Sequence, residues 1–500
     1  MDSNKIKKLT DLFGPGQVIT NPEKLVKYIT EGFLEGCTPA CAVKPKDGFE
    51  VEKLVKFANE EDIKLVPVSS CGKHYSGGSA PAVKDVVIVD LSENKVIYDA
   101  DRTFRIAVID AGVTYEELIP FLKEKGLAIN MPLAPKAGKS VAASLLEIEP
   151  KLNPNLEWNI MDPLRSTEVI WGDGNRMRTG EAAGLPLDLN TADAVKFAHE
   201  KKHQYLIGGN GPDTIDYYRL LARSQGTMGI VPWITLKCAL LPDLTDTWVA
   251  GSDKLNECIE FAYQMERLRC GDGFFILNAK DMAALMADTS EEAEKLSKEL
   301  PAWIAAVKLE SRPPIPQMRL DAQKECMEIA AQKAGIRLSR QVAGLRAEDI
   351  IGKAFTPCRE GNYWKEKETG TFAEVFFLCT MDRTGEFIEI MKKEAKKTGY
   401  PIEDLGIYIQ PRHQGVSCML SFRLPYDKNT EEAAKNVFNA APKALFDEGA
   451  FFSRPYGDWA KVQLPMDKGT TDRLIRLKGI FDPNNVLNPG HLSDWAAKEQ

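Results

Sequence analysis

A glycine-rich loop directly follows a short buried strand near the start of the chain. The apolar residues 65–68 predict the strand, and residues 69–79 then read Ser-Ser-Cys-Gly-Lys-His-Tyr-Ser-Gly-Gly-Ser. Glycine allows close approach of the backbone to a ligand, and successive N–H groups in such a loop can converge on an anion. The loop contains neither of the two common nucleotide-binding patterns, Gly-x-Gly-x-x-Gly and Gly-Lys-Ser/Thr. It can hold a pyrophosphate, although an ordinary turn has a similar composition.

The segments around this loop alternate between helix and strand, and the pattern changes after about residue 241. Before that point, apolar spacing predicts helices at 50–59 and 115–125, strands at 86–91 and 105–109, and a hairpin at 167–179. After it come long amphipathic stretches at 252–269, 290–309 and 323–335, a strand at 373–379, a helix at 384–397, and strands at 405–410 and 416–422. Because 500 residues exceed the usual size of one hydrophobic core, we predict a second, α+β domain with an antiparallel sheet.

Charge and composition exclude several classes of protein. The formal net charge is -8 with both signs interspersed, so no basic face is predicted for a nucleic-acid backbone. No apolar run approaches the roughly 20 residues that cross a bilayer, and residues 1–10 lack the apolar segment of a signal peptide. Among ten cysteines, the only close pair, Cys37 and Cys41, lacks the second pair that a zinc or iron–sulfur site needs. We expect a cytoplasmic protein with reduced thiols, no nucleic-acid partner and no membrane span.

One motif suggests a metal site. His199-Glu-Lys-Lys-His203 matches the His-Glu-x-x-His pattern of zinc proteases, in which a helix presents both histidines on one face. The segment around it is rich in lysine, and no third ligand follows at a useful spacing. We therefore predict a solvated surface helix and no metal.

Five segments in order resemble the vanillyl-alcohol oxidase and para-cresol methylhydroxylase family. Residues 66–81 resemble its pyrophosphate-binding loop, and the other four segments are 109–115, 167–179, 226–231 and 481–490. The resemblance implies an α+β fold in which a two-part FAD-binding domain, residues 1–240 and 470–500, encloses a cap domain at residues 241–469. The family's flavin accepts a hydride at N5 from a carbon that bears, or is conjugated to, an oxygen function.

The resemblance also implies which residues hold the FAD. These are Ser69, Ser70, Cys71, Gly72, Lys73, His74, Tyr75, Ser76, Gly77 and Gly78 of the loop, with Pro132, Ser140, Gly229, Ile230 and Asn488 elsewhere. Two histidines, His74 and His413, lie near the positions at which covalent attachment could occur, and neither matches firmly. We predict non-covalent FAD.

The substrate of the phenol-oxidising members does not carry over. Their phenolate clamp falls at Ser76 and at Trp459-Ala460 in this chain, and their acidic residue beside the flavin falls near Pro135. Because none of these positions holds the family's residue, the leading prediction is oxidation of an alcohol or a 2-hydroxy acid. The alternatives are a para-alkylphenol or aryl-alcohol oxidoreductase with an altered clamp, and a non-catalytic flavoprotein subunit.

Two clusters of polar residues are candidates for the catalytic site. Strand alternation predicts that Tyr408, Gln410 and Arg412 face one side and His413 the other, and Arg454 and Tyr456 form the second cluster. An arginine could pair with a substrate carboxylate or an alkoxide, and a histidine could take the hydroxyl proton. Ordinary ion pairs are the competing interpretation of both arginines. We further predict a homo-oligomer that passes its electrons to an electron-accepting protein more readily than to dioxygen.

Overall fold

The protein folds around two large hydrophobic cores, and the C-terminal segment returns to the first. The computed structural model describes residues 1–74, 78–156, 163–201, 217–359, 361–412 and 417–492. The first core contains residues between Leu9 and Leu236, together with Val486 and Leu487. The second is built mainly from residues between 249 and 459. This arrangement confirms the predicted two-part FAD-binding fold with an α+β cap.

A four-stranded, mainly parallel sheet carries the glycine-rich loop. In spatial order its strands are Val18–Ile19, Cys41–Val43, Val87–Asp90 and Leu65–Val68. Helix Gly48–Glu60 connects two of them, begins at the N-cap Asp47 and buries Val51, Leu54 and other apolar residues. The loop leaves the carboxyl end of Leu65–Val68, the edge at which open α/β sheets bind ligands.

A second, antiparallel sheet completes the N-terminal part. Its path is Arg176–Arg178, Leu164–Trp171, Trp233–Lys237, Ile106–Asp110 and Ile97–Asp101, and Gly229–Ile230 pairs with the second of these strands. The predicted hairpin is the pair Leu164–Trp171 and Arg176–Arg178. Helix Tyr115–Glu124 begins with a capping box in which Thr114 and Glu117 exchange hydrogen bonds. The other helices of this part are Ser3–Phe13, Pro22–Leu25, Val141–Leu146, Thr191–Glu200 and Tyr218–Leu221.

The cap contains a seven-stranded sheet in which adjacent strands pair antiparallel. Its order is Leu338–Ser339, Leu244–Ser252, Trp303–Ser311, Gly273–Asn278, Gly406–Arg412, Ser417–Pro425 and Phe372–Thr380. Its helices are Leu255–Arg267, Ala279–Met286, Ser290–Glu299, Pro316–Ala334, Ala347–Ala354, Thr384–Thr398, Glu431–Asp447 and Trp459–Gln463. The strands predicted at 373–379, 405–410 and 416–422 are therefore neighbours in one sheet.

One of the predicted amphipathic stretches contains two different elements. Residues 290–309 form the helix Ser290–Glu299 and then the strand Trp303–Ser311. Leu300, which precedes Pro301, has an extended backbone, because a proline disfavours helical geometry in the residue before it.

A buried lysine of the C-terminal segment forms an ion pair within that segment and a hydrogen bond to the N-terminal part of the chain. Helix Lys468–Phe481 ends at Asp482, whose carboxylate lies 2.5 Å from the ammonium of Lys478 and accepts the backbone N–H groups of Val486 and Leu487. Lys478 also donates to the carbonyl oxygens of Thr227 and Leu487. Burial without these partners would be costly, so the contacts hold the segment against the sheet.

No helix within the described ranges is both long and apolar enough to cross a membrane.

Candidate active site

The glycine-rich loop is held at its first end by the segment that starts helix Val141–Leu146. Cys71 donates its backbone N–H to Gly138 O at 2.8 Å, and Ser140 donates its backbone N–H to Ser70 Oγ at 3.1 Å. A Cβ atom at position 138 would lie 2.8 Å from the Cys71 carbonyl, so only glycine permits this approach. Ser140 also caps the helix and donates its hydroxyl to Ala111 O.

Asn488 of the C-terminal segment holds the other end of the loop. Its side-chain amide donates to the carbonyl oxygens of Gly78 and Gln225, the latter at 2.7 Å, and its backbone N–H donates to Leu65 O. A Cβ atom at position 78 would lie 2.5 Å from Gln225 Cβ. Three distant segments of the chain therefore meet at the end of the loop.

Two cavities adjoin at this loop and share Ser70, His74 and Lys139 in their walls. The first has a volume of about 950 Å³ and lies between the loop and the cap. The second, of about 860 Å³, lies in the FAD-binding part, between the loop and the segment that contains Gly229.

One face of the cap sheet forms a wall of the first cavity. Residues that pair directly in an antiparallel sheet point to the same side, and Tyr408 pairs with Ser421, which in turn pairs with Phe376. By the same rule Gln410 and Met419 share a face. Tyr408, Phe376, Met419 and Glu374 all line the cavity, as do Pro132, Leu133, Lys136 and Tyr363 from other segments.

Arg454 brings a buried guanidinium to this cavity. Its side chain is 8% exposed and stacks 4.2 Å from the centre of the Phe376 ring. Its Nη1 lies 3.8 Å from a carboxylate oxygen of Glu149, and Nε has no hydrogen-bond partner among the described residues. Burial lowers the pKa of Arg454, but Tyr456 and the neighbouring carboxylates outweigh it, so the pKa is raised and the group is charged.

Two lysine–carboxylate pairs add to the polar wall. Lys139 lies 2.8 Å from Glu149, and Lys365 lies 2.6 Å from Glu374. Burial raises the pKa of Glu149, but Lys139 and Arg454 lower it further than burial raises it. Of the described side chains that line the first cavity, five are cationic and two are carboxylates, so the cavity favours an anion.

Tyr408 and Gln410 form a hydrogen-bonded pair. The Tyr408 hydroxyl donates to Gln410 Oε1 at 2.6 Å, and Gln410 Nε2 donates to the carbonyl oxygens of Phe274 at 2.9 Å and Pro411 at 3.1 Å. Gln410 is fully buried. The two side chains lie on one side of the strand, as alternation predicted.

His74 stands between the two cavities as a neutral imidazole. Burial is the largest cause that lowers its pKa to about 4, and Lys136 and Lys139 lower it further. The Ser79 hydroxyl lies 3.4 Å from Nδ1. A neutral imidazole can accept or donate a hydrogen bond at physiological pH.

The structure brings together only part of the predicted site. Tyr408, Arg454, Pro132, Ser69, Ser70, Cys71, Lys73, His74, Gly78 and Gly229 line one or both cavities. Gln410 and Tyr456 are buried, Arg412 is half-buried at its strand end, and Ser140, Ile230 and Asn488 are buried in supporting positions. Gly72 adopts a φ of 77°, which glycine favours. His413, Tyr75, Ser76 and Gly77 lie outside the described residues.

Several polar cavity residues were not predicted from the sequence. They are Lys136, Lys139, Glu149, Tyr363, Lys365 and Glu374. The only signal available was the density of lysine and glutamate between residues 136 and 151 in a segment that is otherwise apolar.

Buried polar atoms without partners show that the cavities suit a large polar cofactor. Within the described part of the chain, these atoms include Gln225 Oε1 and Asn488 Oδ1 near the loop, and Arg454 Nε and Trp364 Nε1 near the first cavity. A buried donor or acceptor costs free energy unless a partner satisfies it. The loop, the two adjoining cavities and these atoms fit a dinucleotide with a polar ring system.

The His-Glu-x-x-His motif does not form a described metal site. His199 lies on helix Thr191–Glu200, is exposed, and pairs with Asp99 at 2.9 Å. His203 lies outside the described residues. Over the described ranges, no group of three or more histidine, cysteine, aspartate or glutamate residues could hold a metal ion.

Comparison with known proteins identifies an FAD binding domain at residues 39–180. The flavoprotein subunit of 4-cresol dehydrogenase [hydroxylating] from Pseudomonas putida is 25% identical over 39% of this chain and 37% of its own. D-lactate dehydrogenase from Archaeoglobus fulgidus is 22% identical over 52% and 53%, and D-2-hydroxyglutarate dehydrogenase from Stutzerimonas stutzeri is 28% identical over 50% and 48%. The chain thus spans from about a third to about half of the length of these relatives.

Two solved structures have the same fold over nearly the whole chain. The 4-ethylphenol oxidase from Gulosibacter chungangensis in its isoeugenol complex has a TM-score of 0.80 at 17% identity, with 98% of this chain and 96% of that chain covered. Substrate-bound p-cresol methylhydroxylase has a TM-score of 0.79 at 17% identity and the same coverage.

Proposed function

Because the chain contains an FAD-binding domain and has the fold of p-cresol methylhydroxylase, we propose that it is an FAD-dependent oxidoreductase acting on a 2-hydroxy acid. The product is the corresponding 2-oxo acid. Bound FAD supplies the acceptor for the hydride that leaves the carbon bearing the hydroxyl. The protein must bind the carboxylate, orient the hydroxyl and exclude water.

The observation that carries this proposal is the buried guanidinium of Arg454. A planar guanidinium presents donors that match the two oxygens of a carboxylate, and Arg454 lines a cavity with excess positive charge. Glu149 is too far away, at 3.8 Å, to satisfy it with a normal hydrogen bond. A substrate carboxylate would complete the coordination of this arginine.

The other wall residues have supporting roles in the same scheme. Lys139 stands in the walls of both cavities and is held by Glu149, so it places positive charge between cofactor and substrate. Phe376, Met419 and Leu133 supply apolar surface that excludes water from the hydroxyl-bearing carbon. Two relatives are named D-lactate dehydrogenase and D-2-hydroxyglutarate dehydrogenase, which supports the same substrate class.

The test is anaerobic reduction of the purified holoprotein, which is monitored as the loss of the flavin's visible absorbance. We expect D-2-hydroxy acids to bleach the flavin and para-alkylphenols to leave it oxidised. The reason is that Trp459-Ala460 does not hold the residues with which the phenol-oxidising family members bind the phenolate. Reduction by phenols but not by hydroxy acids would contradict the proposal.

Arg454 gives a sharper version of this test. The Arg454→Met variant should raise KM for a hydroxy acid by roughly 10–100-fold while FAD stays bound. This factor corresponds to the binding free energy lost with one hydrogen bond to a charged group. Arg454→Lys should recover only part of the loss, because an ammonium lacks the fork. Arg346→Met, an exposed cap arginine paired with Asp349, is the matched control. An unchanged KM in Arg454→Met would remove the carboxylate role.

We also propose that the FAD is non-covalent and that a carrier protein takes the electrons. Several relatives carry the name dehydrogenase, which supports an acceptor other than dioxygen. Precipitation with acid should release the whole flavin into solution. Mixing the substrate-reduced protein with aerated buffer should reoxidise it more slowly than turnover with an artificial carrier; reoxidation at the rate of turnover with matching peroxide would make it an oxidase.

A further inference from the structure

Two cysteine thiols meet across the last pair of strands in the cap sheet. Cys379 and Cys418 occupy directly opposite positions on the antiparallel strands Phe372–Thr380 and Ser417–Pro425, and their sulfur atoms lie 3.7 Å apart. We propose that this pair is a modification site at which hydrogen peroxide forms a reversible disulfide. The modification is separate from the proposed oxidation of a hydroxy acid and needs no substrate.

The backbone of the two strands already has the spacing of a disulfide. Directly opposite residues of antiparallel strands have Cα atoms about 4.5 or about 5.5 Å apart, and disulfides span about 4.4–6.8 Å between the same atoms. Because residues that pair directly point to the same side of a sheet, both thiols lie on one face. Closing the gap from 3.7 Å to the disulfide length of about 2.05 Å is therefore within reach of small side-chain movements.

The pair lies on the reverse side of the wall of the first cavity. Met419, the neighbour of Cys418, lines the cavity, and successive residues of a strand point to opposite faces. Cys379 shares its face with Phe377, whose ring centre lies 5.1 Å from that of Phe387. Both cysteines belong to the apolar core of the cap, on the side of the sheet away from the cavity.

The two thiols have different roles in the reaction. Cys379 is 7% exposed and Cys418 is fully buried, and the hydrogen bond to Cys379 together with burial raises the pKa of the Cys418 thiol. The small, neutral peroxide therefore reacts first at Cys379, transfers one oxygen atom to its sulfur and leaves as water. The Cys418 sulfur then displaces the hydroxyl group, which leaves with the thiol proton as a second water. The two electrons lost by the sulfur atoms are those that reduce the peroxide.

The new bond would stabilise the cap wall of the first cavity. It links residues 39 positions apart and joins the last strand of the sheet to its neighbour. These two strands carry Glu374, Phe376 and Met419, which line the cavity. A cross-link that closes a loop of this length restricts the unfolded chain, so we expect oxidation to raise the unfolding temperature of the holoprotein by about 5–10 °C. A dithiol reductant should reverse the shift by thiol–disulfide exchange.

The test uses the purified holoprotein and added hydrogen peroxide. The peroxide concentration is raised until the half-buried Cys326 is oxidised, the remaining thiols are alkylated in denaturant, and a digest is analysed by mass spectrometry. We expect a peptide pair linked through Cys379 and Cys418 that a dithiol reductant separates, while the fully buried Cys258 is recovered as a thiol. A digest in which Cys326 is oxidised but Cys379 and Cys418 are both recovered as thiols would overturn the proposal.

Two single variants test the order of the reaction. In Cys418→Ser, the oxidised sulfur of Cys379 meets no second thiol at position 418, so we expect a sulfenic acid that dimedone traps. In Cys379→Ser, Cys418 should be recovered as a thiol at the same peroxide concentration, and the unfolding temperature should not change. Trapping at Cys418 without trapping at Cys379 would reverse the assigned roles. A temperature shift in Cys379→Ser as large as that of the unaltered protein would show that a different oxidation causes the stabilisation.

Discussion

At the scale of single residues, burial decides the charge of groups outside the cavity as well as within it. Asp110 is 7% exposed and accepts hydrogen bonds from the Val96 N–H and from Tyr98. Burial is the largest effect on its carboxyl group and raises the pKa to about 6, although both hydrogen bonds lower it. The folded protein therefore holds this proton more tightly than the unfolded chain does.

The consequence is a loss of stability as the pH rises. A folded pKa above the unfolded value, which is about 3.9, contributes stability below pH 4 that disappears as the pH passes through about 6. We expect Asp110→Asn to raise the free energy of unfolding by about 2 kcal/mol at pH 8 and by much less at pH 4.5. Urea unfolding at both pH values measures it, with the exposed Asp188→Asn as control. An equal gain at both values would show that Asp110 is not protonated in the folded protein.

At the scale of elements, the glycine-rich loop depends on contacts from segments far along the chain. Asn488 donates to Gly78 O and Gln225 O, two carbonyl oxygens that lie far apart in the sequence. Asn488→Asp has the same shape but cannot donate, and it would place a carboxylate against both carbonyls. We expect a rise of at least tenfold in the dissociation constant for FAD, measured by flavin fluorescence in titrations of apoprotein. Asn485→Asp, three residues earlier, is the matched control, and equal losses in both variants would argue against a specific role for Asn488.

Regular elements were the part of the fold that periodicity could predict. The strand Leu65–Val68, the hairpin and the cap strands each follow from a run of residues with its own spacing, which needs no partner to be recognised. The resemblance added the two-part connectivity.

The pairs Lys139–Glu149 and Lys365–Glu374 could not be predicted in the same way, because nothing local shows that residues 139 and 365 line one cavity. Alternation did place Tyr408 and Gln410 on one side of the strand, but only the structure shows the hydrogen bond between them. The catalytic roles of Tyr408, Gln410, Arg412, His413, Arg454 and Tyr456 stay predictions.

At the scale of the whole molecule, the two cores meet along the cleft proposed for FAD. Backbone hydrogen bonds that join the N-terminal part of the chain to the cap include Ala134 N–H to Ala354 O, Cys358 N–H to Pro135 O, and Phe274 N–H to Leu152 O. The first cavity draws its wall from both sides of this junction. A ligand that fills it therefore binds the two units only when both are folded and joined.

This geometry predicts that FAD couples the unfolding of the two units. A ligand that binds only the native state adds stability that grows with its concentration over its dissociation constant, about 2.7 kcal/mol at a hundredfold excess. Without FAD, two hydrophobic cores of this size should unfold as separate transitions. Differential scanning calorimetry should show two transitions for the apoprotein and one, at higher temperature, for the holoprotein. The Asn488→Asp variant should need a higher concentration of FAD before its two unfolding transitions merge into one. A single transition in the apoprotein, unchanged in shape when FAD is added, would mean that the protein interface alone already couples the cores.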